Sequence, residues 1–412
     1  MLMQAFYRRG RQFVNQNEIS RARRGSWGRA RKAAWRAGLR VHAAGQGAGR
    51  LTPPPVRAIM PAQMETRVLE IDPLEDCRAA YREAAALLAE GQLVAIPTET
   101  VYGLGADAFN ADAVAQVFAV KERPHFDPLI CHLPNAAAVH DIADVPQELR
   151  GLVDALAAEF WPGPMTLVLP RKACVPDIVT SGLPTVACRV TSHEAMRGVA
   201  KALGHPVAAP SANRFGHISP TSAAAVLKEL GGAIPLVMDA GACSEGLEST
   251  ILAPCLDDKG NPAVRILREG PITREKLREV CRVLKPAKKG TQENTPAAPN
   301  APGQLKSHYA PSKPLTLCSP FGPFTPQPGV RYGLISYKGE SKLAQMDCWA
   351  EKMSLSPGSG RLAEAAVRLF AVMRAMDECE GVDAIVAEEL PTVGLGAAMM
   401  DRLTRAAADR NP

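Results

Sequence analysis

The feature that most constrains the fold of this chain is an apolar strand that runs straight into a segment rich in glycine and hydroxyl groups. Residues Leu93 to Pro97 are typical of a buried strand, and the ten residues from Ile96 to Gly105 read IPTETVYGLG. We expect the segment after Pro97 to add nothing to a core. Its hydroxyls, carboxylate and glycines instead suit close backbone contact with a small polar ligand.

The next segment predicts a helix that has Asn110 as its N-cap and carries Lys121 in line with its apolar residues. Arg123 follows two positions later, and Pro124 ends the helix. A lysine on the apolar face beside an arginine indicates cations pointed at a buried anion. The alternative is a lysine at a helix end whose ammonium reaches solvent, and helix periodicity alone favours neither.

The rest of the chain alternates strands with helices. We expect strands at 128–133, 165–169, 185–190, 206–209, 234–238 and 249–253, and helices at 77–91, 147–160, 193–203 and 221–230. This alternation predicts an α/β domain, a twisted mixed sheet with packed helices, over residues 64–284. Residues 285–314 are predicted to be a linker, and a strand–helix–strand–helix order predicts a small Rossmann-like α/β domain over 315–412.

The net charge of +6 is unevenly distributed, because residues 1–60 contain twelve arginines, one lysine and one acidic residue. We expect residues 1–63 to be a basic, disordered extension. A nucleic-acid-binding arm, an arginine-rich transit segment and sequence translated from a start codon placed too early are the alternatives. A first strand is expected soon after Met64, which favours the last of these.

Cysteine usage and hydropathy limit the compartment and the metal chemistry. The ten cysteines contain no CxxC pair and no His/Cys cluster at ligand spacing, which predicts a reducing compartment and no structural zinc. No apolar run reaches about eighteen residues, so we expect no membrane span and a cytoplasmic protein.

Polar side chains follow several of the predicted strands. Period-two alternation places Thr185 and Arg189 on one strand face, turned toward a cavity. Ser211 and Asn213 follow an apolar strand in the same manner, although a polar turn is the alternative. Ser219, Ser249 and Thr250 add hydroxyls, and Arg268 adds a guanidinium. With Lys121 and Arg123 and no nucleophile–base pair, this set is typical of sites that bind and orient polyanions.

The motifs resemble those of a known family. They are PTETVYGLGADA at 97–108, KERPHFDPLICHL at 121–133, WPGPMTLVL at 161–169, TVACRV at 185–190, APSANRFGHISPT at 209–221, GLESTIL at 246–252 and ILREGP at 266–271. In this order they resemble the YrdC/Sua family, the threonylcarbamoyl-adenylate synthases. GQLKSHYAP at 303–311 and GLGAAMMDRLTRAA at 394–407 resemble the linker and the end of the second domain in the long form of that family.

The resemblance implies that L-threonine, bicarbonate and ATP become threonylcarbamoyl-AMP and pyrophosphate for tRNA modification. It implies Mg²⁺ on the ATP phosphates without a protein cage, and a downstream tRNA threonylcarbamoyl transferase as partner. The residues implied to bind threonine are Thr100, His132, Arg189, Ala209 and Ser249. Those implied to contact ATP are Arg123, Asp127, Thr185, Ser211, Asn213, Ser219 and Arg268, with Lys121 and Arg123 as the catalytic cations.

Two details accompany this resemblance. Many relatives carry asparagine where this chain has Asp127, whose carboxylate would repel phosphates unless it faces the base, the ribose or magnesium. The linker motif places His308 and Tyr309 between a flexible glycine and a rigid proline, so we expect a lid with one of the two near the phosphates or the bound intermediate.

Three other functions are weighed against the synthase. A carbamoyltransferase of the hydrogenase-maturation type would need acylphosphatase and zinc-finger segments that this sequence lacks. An RNA-binding module predicts salt-sensitive RNA affinity without dependence on threonine. An inactive family member is disfavoured, because the cations, hydroxyls and threonine-site residues of the motifs are present.

Overall fold

The computed structural model of the protein describes residues 64–72, 74–285, 302, 305 and 307–408. The predicted basic extension 1–63 and most of the predicted linker lie outside these residues. Within them the first sheet contains β1 (Arg67–Glu70), β2 (Val94–Ile96), β3 (Gly103–Asp107), β4 (Ile130–His132), β5 (Met165–Pro170), β6 (Thr185–Arg189), β7 (Val207–Ala208), β8 (Leu236–Asp239), β9 (Thr250–Leu256) and β10 (Pro262–Arg268).

This sheet is mixed, as predicted. Its strands lie in the order β1-β8-β2-β3-β7-β4-β6-β5-β9-β10. The pairs β1–β8, β2–β8, β4–β6 and β5–β9 are parallel, and the remaining neighbours are antiparallel. Because β4, β6 and β7 are neighbours, their polar end residues are brought to one place although they are far apart in the sequence.

Helices pack on both the sheet and one another. They are α1 (Arg78–Ala89), α2 (Ala111–Lys121), α3 (Val139–Ile142), α4 (Arg150–Phe160), α5 (Asp177–Thr180), α6 (Glu194–Leu203), α7 (Ala223–Leu230) and α8 (Arg274–Val280). The predicted N-cap of α2 is confirmed, since the Asn110 side chain accepts hydrogen bonds from the backbone N–H groups of Asp112 and Ala113, both at 3.1 Å. Lys121 is buried with the apolar face of this helix, as its spacing predicts.

The prediction for the segment after Pro97 was wrong in part. Residues Gly103–Asp107 form the fully buried strand β3, and Tyr102, Leu104 and Ala106 belong to the main hydrophobic core. Glycine is required here, because a Cβ on Gly105 would lie 2.9 Å from the Val207 side chain. The prediction of a segment that adds nothing to the core therefore fails from Tyr102 onward, and Gly105 serves close strand packing.

The second sheet has four parallel strands, β11 (Leu315–Cys318), β12 (Tyr332–Ser336), β13 (Trp349–Ser354) and β14 (Ala384–Glu388), in the order β11-β14-β12-β13. Helices α9 (Leu362–Glu378) and α10 (Leu395–Ala406) complete a doubly wound arrangement of the predicted class. The strand–helix–strand–helix prediction omitted β11 and β13. The edge strand β13 is half exposed and reads WAEKMS, so it carries no continuous apolar run.

The two sheets are joined by a shared hydrophobic cluster. Tyr309, Leu247, Ile218 and Val101 pack in one cluster with buried residues of α9 and α10. None of the helices in the described ranges is long and apolar enough to cross a membrane.

Candidate functional site

A cavity with about 550 Å³ of empty space lies where the ends of several strands of the first sheet meet the segment before β11. The lining residues are Thr98, Thr100, Val101, Gly103, Arg123, Pro128, Ile130, His132, Arg189, Ala209, Pro210, Ser211, Glu248, Ser249, Arg268, Pro302, His308 and Tyr309. Ten of the fifteen site residues predicted from the sequence are in this wall.

One side of the cavity is built by the start of the glycine-rich motif and the end of β6. The Thr98 hydroxyl bonds the Val101 carbonyl at 2.6 Å and lies 2.9 Å from the Thr100 hydroxyl, which fixes the turn. Arg189 donates from Nη1 to the Thr100 hydroxyl at 2.8 Å and pairs through Nη2 with Glu99 at 2.8 Å. Burial opposes ionisation of Glu99, but Arg189 and hydrogen bonds from residues 191 and 192 outweigh it and lower the Glu99 pKa to about 2.

His132 stands at the end of β4 and shares its strand face with Ile130. Burial, followed by the nearby charge of Arg189, lowers the pKa of His132 to about 3. The imidazole is therefore neutral at physiological pH, and its Nδ1 has no hydrogen-bond partner among the described residues.

The opposite side carries two more guanidinium groups. Arg123 pairs with Asp127 at 2.8 Å and donates to the carbonyls of Asp127 and Pro128 at 3.1 and 3.0 Å. Arg268, at the end of β10, donates to the Ser249 carbonyl at 3.0 and 3.1 Å and to its hydroxyl at 3.1 Å. Burial lowers the pKa of both arginines, yet a guanidinium stays charged across the physiological range.

Three predicted residues lie behind this wall instead of in it. The Lys121 ammonium donates to the backbone carbonyls of Ser211, at 2.6 Å, and Asn213. The Asn213 amide donates to the carbonyls of Arg214 and His217 at 2.7 and 2.9 Å. In the protein as described, the helix face of Lys121 packs under the 211–213 segment, and the carbonyls there accept hydrogen bonds from its ammonium. Ser219 also lies outside the wall, and its hydroxyl donates to the Glu248 carboxylate.

Two further residues are displaced from the predicted positions. Thr185 shares a strand face with Arg189 but lies at the other end of β6, roughly 13 Å away by the rise of a strand. Asp127 is fully buried and is outside the lining residues, where it pairs with Arg123. Its carboxylate therefore orients a cation of the wall and does not lie among the groups that reach the cavity.

His308 and Tyr309, predicted to cover the site, lie in its wall. Both are nearly fully buried. The His308 ring makes edge contacts with Phe215 and Tyr309 at 5.7 and 4.1 Å between centroids. Burial and the nearby cations Arg123 and Lys121 lower the His308 pKa well below its usual value. Tyr309 adopts a left-handed backbone with φ of 64°, and burial raises its pKa to about 12.

The sequence reasoning missed two charged residues of this region. Glu248 lines the cavity, and Arg402 of α10 pairs with it at 3.0 Å. Glu248 stands next to Ser249 in a quoted motif, which was a usable signal. Nothing local marks Arg402 as its partner, because the two are 154 residues apart.

The wall carries polar atoms that lack a partner within the protein as described. They are Nδ1 of His132, Nδ1 of His308 and the hydroxyl of Tyr309. A buried polar group without a hydrogen bond costs roughly 1–3 kcal/mol, so three on one cavity indicate a polar ligand that completes them. Arginines and hydroxyls around the same space suit a ligand with anionic groups.

Comparisons with known proteins agree with this geometry. Residues 86–270 match the family described as "Telomere recombination", and residues 272–408 match "Threonylcarbamoyl-AMP synthase, C-terminal domain". The threonylcarbamoyl-AMP synthase of Bacillus subtilis is 37% identical over 340 residues, which are 80% of this chain and 93% of that protein. The chain belongs to the threonylcarbamoyl-AMP synthase family.

Further relatives support the same assignment and the fold. The threonylcarbamoyl-AMP synthase of Pyrococcus abyssi is 38% identical over 344 residues, 80% of this chain and 94% of that protein. A crystal structure of P. abyssi Sua5 complexed with L-threonine is 35% identical with a TM-score of 0.69, and it covers 83% of this chain and 98% of that one. The resemblance stated from the motifs, including the long two-domain form of the family, is confirmed.

Proposed function

We propose that this protein makes threonylcarbamoyl-AMP and pyrophosphate from L-threonine, bicarbonate and ATP. The observation that carries the proposal is one cavity that joins hydroxyls, two neutral histidines and three arginines, with three buried polar atoms left for a ligand. Relatives that match along most of their length are named threonylcarbamoyl-AMP synthases, and one was crystallised with L-threonine.

The reaction needs positioning more than proton transfer. The threonine amine combines with bicarbonate to give a carbamate and water, and a carbamate oxygen then attacks the α-phosphorus of ATP while pyrophosphate leaves. The protein must hold the carbamate in line with the leaving group and neutralise the charge that develops. Fixed guanidinium groups in a buried wall suit that task, since they need no rearrangement during the reaction.

We assign the two substrates to two sides of the cavity. Thr100, His132, Arg189, the backbone of Ala209 and Ser249 are proposed to bind threonine, and Arg123, Ser211 and Arg268 to bind ATP. Because Arg189 is paired with Glu99, it offers a hydrogen-bonding edge with part of its charge already compensated. Lys121, Asp127, Asn213 and Ser219 are assigned to holding these side chains in place, and Thr185 receives no role.

His308 and Tyr309 are proposed to cover the ligand as a lid, with Tyr309 donating its hydroxyl to a ligand oxygen. We divide the chain accordingly into a catalytic domain over 64–284, a linker over 285–314 and a second α/β domain over 315–412. Mg²⁺ would accompany ATP and be held by phosphate oxygens and water. The carboxylates of Glu99 and Glu248 are each paired with an arginine, so we assign neither as a metal ligand.

The test is pyrophosphate release by the full chain. We expect release to require L-threonine, bicarbonate and ATP together, and to supply a tRNA threonylcarbamoyl transferase with its substrate. Release that is independent of threonine or bicarbonate would refute the proposal. Salt-sensitive RNA binding with no pyrophosphate release under any condition would support a binding module instead.

A further inference from the structure

The second domain places a buried arginine directly behind the cavity wall. Arg402 of α10 is fully buried, with its Nε 3.0 Å from Oε2 of Glu248. Its Nη1 donates to the Glu269 carbonyl at 2.8 Å and to the Asp401 carboxylate at 2.9 Å. Burial alone would lower the Arg402 pKa, but Tyr309, Glu248 and Asp401 together raise it. The guanidinium therefore stays charged, and it pairs with Glu248, a residue of the cavity wall.

Two partners of Arg402 belong to the cavity wall or adjoin it in the sequence. Glu248 lines the cavity, and its other oxygen accepts from the Ser219 hydroxyl, so Arg402 decides where this carboxylate points. Without the arginine a bare carboxylate would face the space where a polyanion binds, and like charges repel there strongly because burial reduces screening. The Glu269 carbonyl, which accepts from Arg402, directly follows Arg268, a wall residue whose guanidinium donates to the Ser249 carbonyl.

The same guanidinium supports the aromatic part of the wall. The Arg402 Cζ lies 5.4 Å from the centroid of the Tyr309 ring, and Phe370 of α9 stacks on the ring at 5.6 Å. Two side chains of the second domain thus hold a tyrosine whose hydroxyl has no partner in the described protein. Arg405, one turn later on α10, donates to the Leu305 carbonyl and accepts at its own carbonyl from the His308 N–H at 3.3 Å.

We propose that Arg402 is a positioning residue for the nucleotide side of the cavity, so that the site is complete only when α10 of the second domain is docked on the first. The proposal rests on the proposed function for its substrate. It assigns α10 a part in the reaction: Arg402 neutralises Glu248 and fixes Tyr309, and it touches no substrate itself.

The test compares three variants of the full chain at a temperature well below their melting midpoints. Arg402→Met leaves Glu248 unpaired, and we expect at least a tenfold loss of kcat/KM for ATP. In Arg402→Met/Glu248→Gln neither charge remains, and we expect at least half of the loss, on a logarithmic scale, to be recovered. Arg331→Met is the matched control, since that arginine makes an exposed ion pair with Asp383 in the same domain.

A purely structural role predicts a different pattern. Arg402→Met would then melt earlier but keep kcat and KM within twofold of the wild type, and this result would overturn the proposal, as would failure of Glu248→Gln to restore activity. If Arg402→Met does not fold, Arg402→Gln keeps hydrogen-bond donors without the charge, and a wild-type KM for ATP in that variant would equally refute the proposal.

A second measurement tests the role of Arg402 even if the proposed function is wrong. If the wild type releases no pyrophosphate, the rise in melting temperature caused by ATP still reports on the cavity. We expect this rise to be smaller in Arg402→Met than in the wild type or Arg331→Met. An equal rise in all three would contradict the positioning role.

Discussion

At the scale of single residues, the site is defined by polar atoms that the protein leaves without partners. The Tyr309 hydroxyl and Nδ1 of both His132 and His308 are buried at one cavity and have no hydrogen bond within the described chain. A protein core would not retain three such groups without a use, because each costs roughly 1–3 kcal/mol. They are the atoms that a bound substrate is best placed to satisfy.

Tyr309→Phe tests whether the Tyr309 hydroxyl contacts the ligand or serves only the stability of the fold. The hydroxyl has no partner in the described protein, so we expect the melting temperature to stay the same or rise slightly. If the hydroxyl donates to the ligand, KM for a substrate should rise about tenfold, or about 1.4 kcal/mol. Tyr337→Phe is the contrasting control, because that hydroxyl bonds the Gly360 carbonyl away from the cavity and its loss should lower stability only. Wild-type kinetics for both substrates in Tyr309→Phe would contradict the assignment.

The low pKa of His132 predicts a dependence of stability on pH. In the folded protein this pKa is about 3, against an ordinary value of 6.5. As the pH falls below about 6.5 the unfolded chain takes up the proton first, so stability present above that pH is lost progressively toward pH 3. For this group alone the loss between pH 7 and pH 5 is about 2 kcal/mol.

His132→Gln should reduce that pH-dependent loss by about the same 2 kcal/mol, whatever its effect on stability at neutral pH. The measurement is the free energy of unfolding in urea at pH 7 and pH 5. The exposed His140→Gln serves as the control. Equal losses in wild type and His132→Gln would show that the imidazole titrates normally.

At the scale of elements, a glycine allows the two domains to pack closely. Gly246 precedes the Glu248–Ser249 segment and has a φ of +68°. A Cβ at this position would lie 2.4 Å from the backbone oxygen of Val367 in α9. The absence of a side chain therefore lets α9 pack directly on the segment that carries two wall residues.

Gly246→Ala should destabilise the protein by more than about 2 kcal/mol, because it adds a backbone clash to the cost of a left-handed conformation. Gly241→Ala is matched to it, with a φ of +78° and nothing within 4 Å of the added Cβ. Gly241→Ala should lower the free energy of unfolding by only about 1 kcal/mol, which is the cost of the left-handed conformation alone. Chemical denaturation measures both, and equal losses would mean that α9 can move away without cost.

At the scale of the whole molecule, the two sheets do not have wholly separate cores. Val101, Ile218, Leu247 and Tyr309 pack in the same cluster as the buried faces of α9 and α10. The buried Arg402–Glu248 pair adds a charged contact across the same boundary. Separating the domains would expose this apolar cluster and break the buried Arg402–Glu248 ion pair, which is costly.

We therefore expect one cooperative unfolding transition for both domains. The chain has four tryptophans, and Trp161 lies in the first core while Trp349 lies on β13. Two variants, each retaining one of these as the sole tryptophan, should each unfold with the same midpoint by fluorescence and by circular dichroism, within about 2 °C. Midpoints that differ between fluorescence and circular dichroism in either variant would show that the domains unfold independently.

The sequence by itself determined the fold class, the family and most of the cavity wall. Strand alternation predicted that Arg189 is turned toward the cavity, because a period of two is a local property of the strand backbone. The N-cap at Asn110 and the position of Lys121 in line with the apolar residues were equally readable, since capping and helix periodicity involve only neighbouring residues.

Only the tertiary structure decided where the polar groups are used. Lys121 shares its line with an apolar face, yet whether its ammonium meets an anion or the carbonyls of Ser211 and Asn213 depends on the segment packed above it. The segment around Leu104 was predicted to add nothing to a core and is a central strand, because its burial comes from strands distant in the sequence. The pairing of Arg402 with Glu248 spans 154 residues, and no local pattern encodes a contact made when two domains pack.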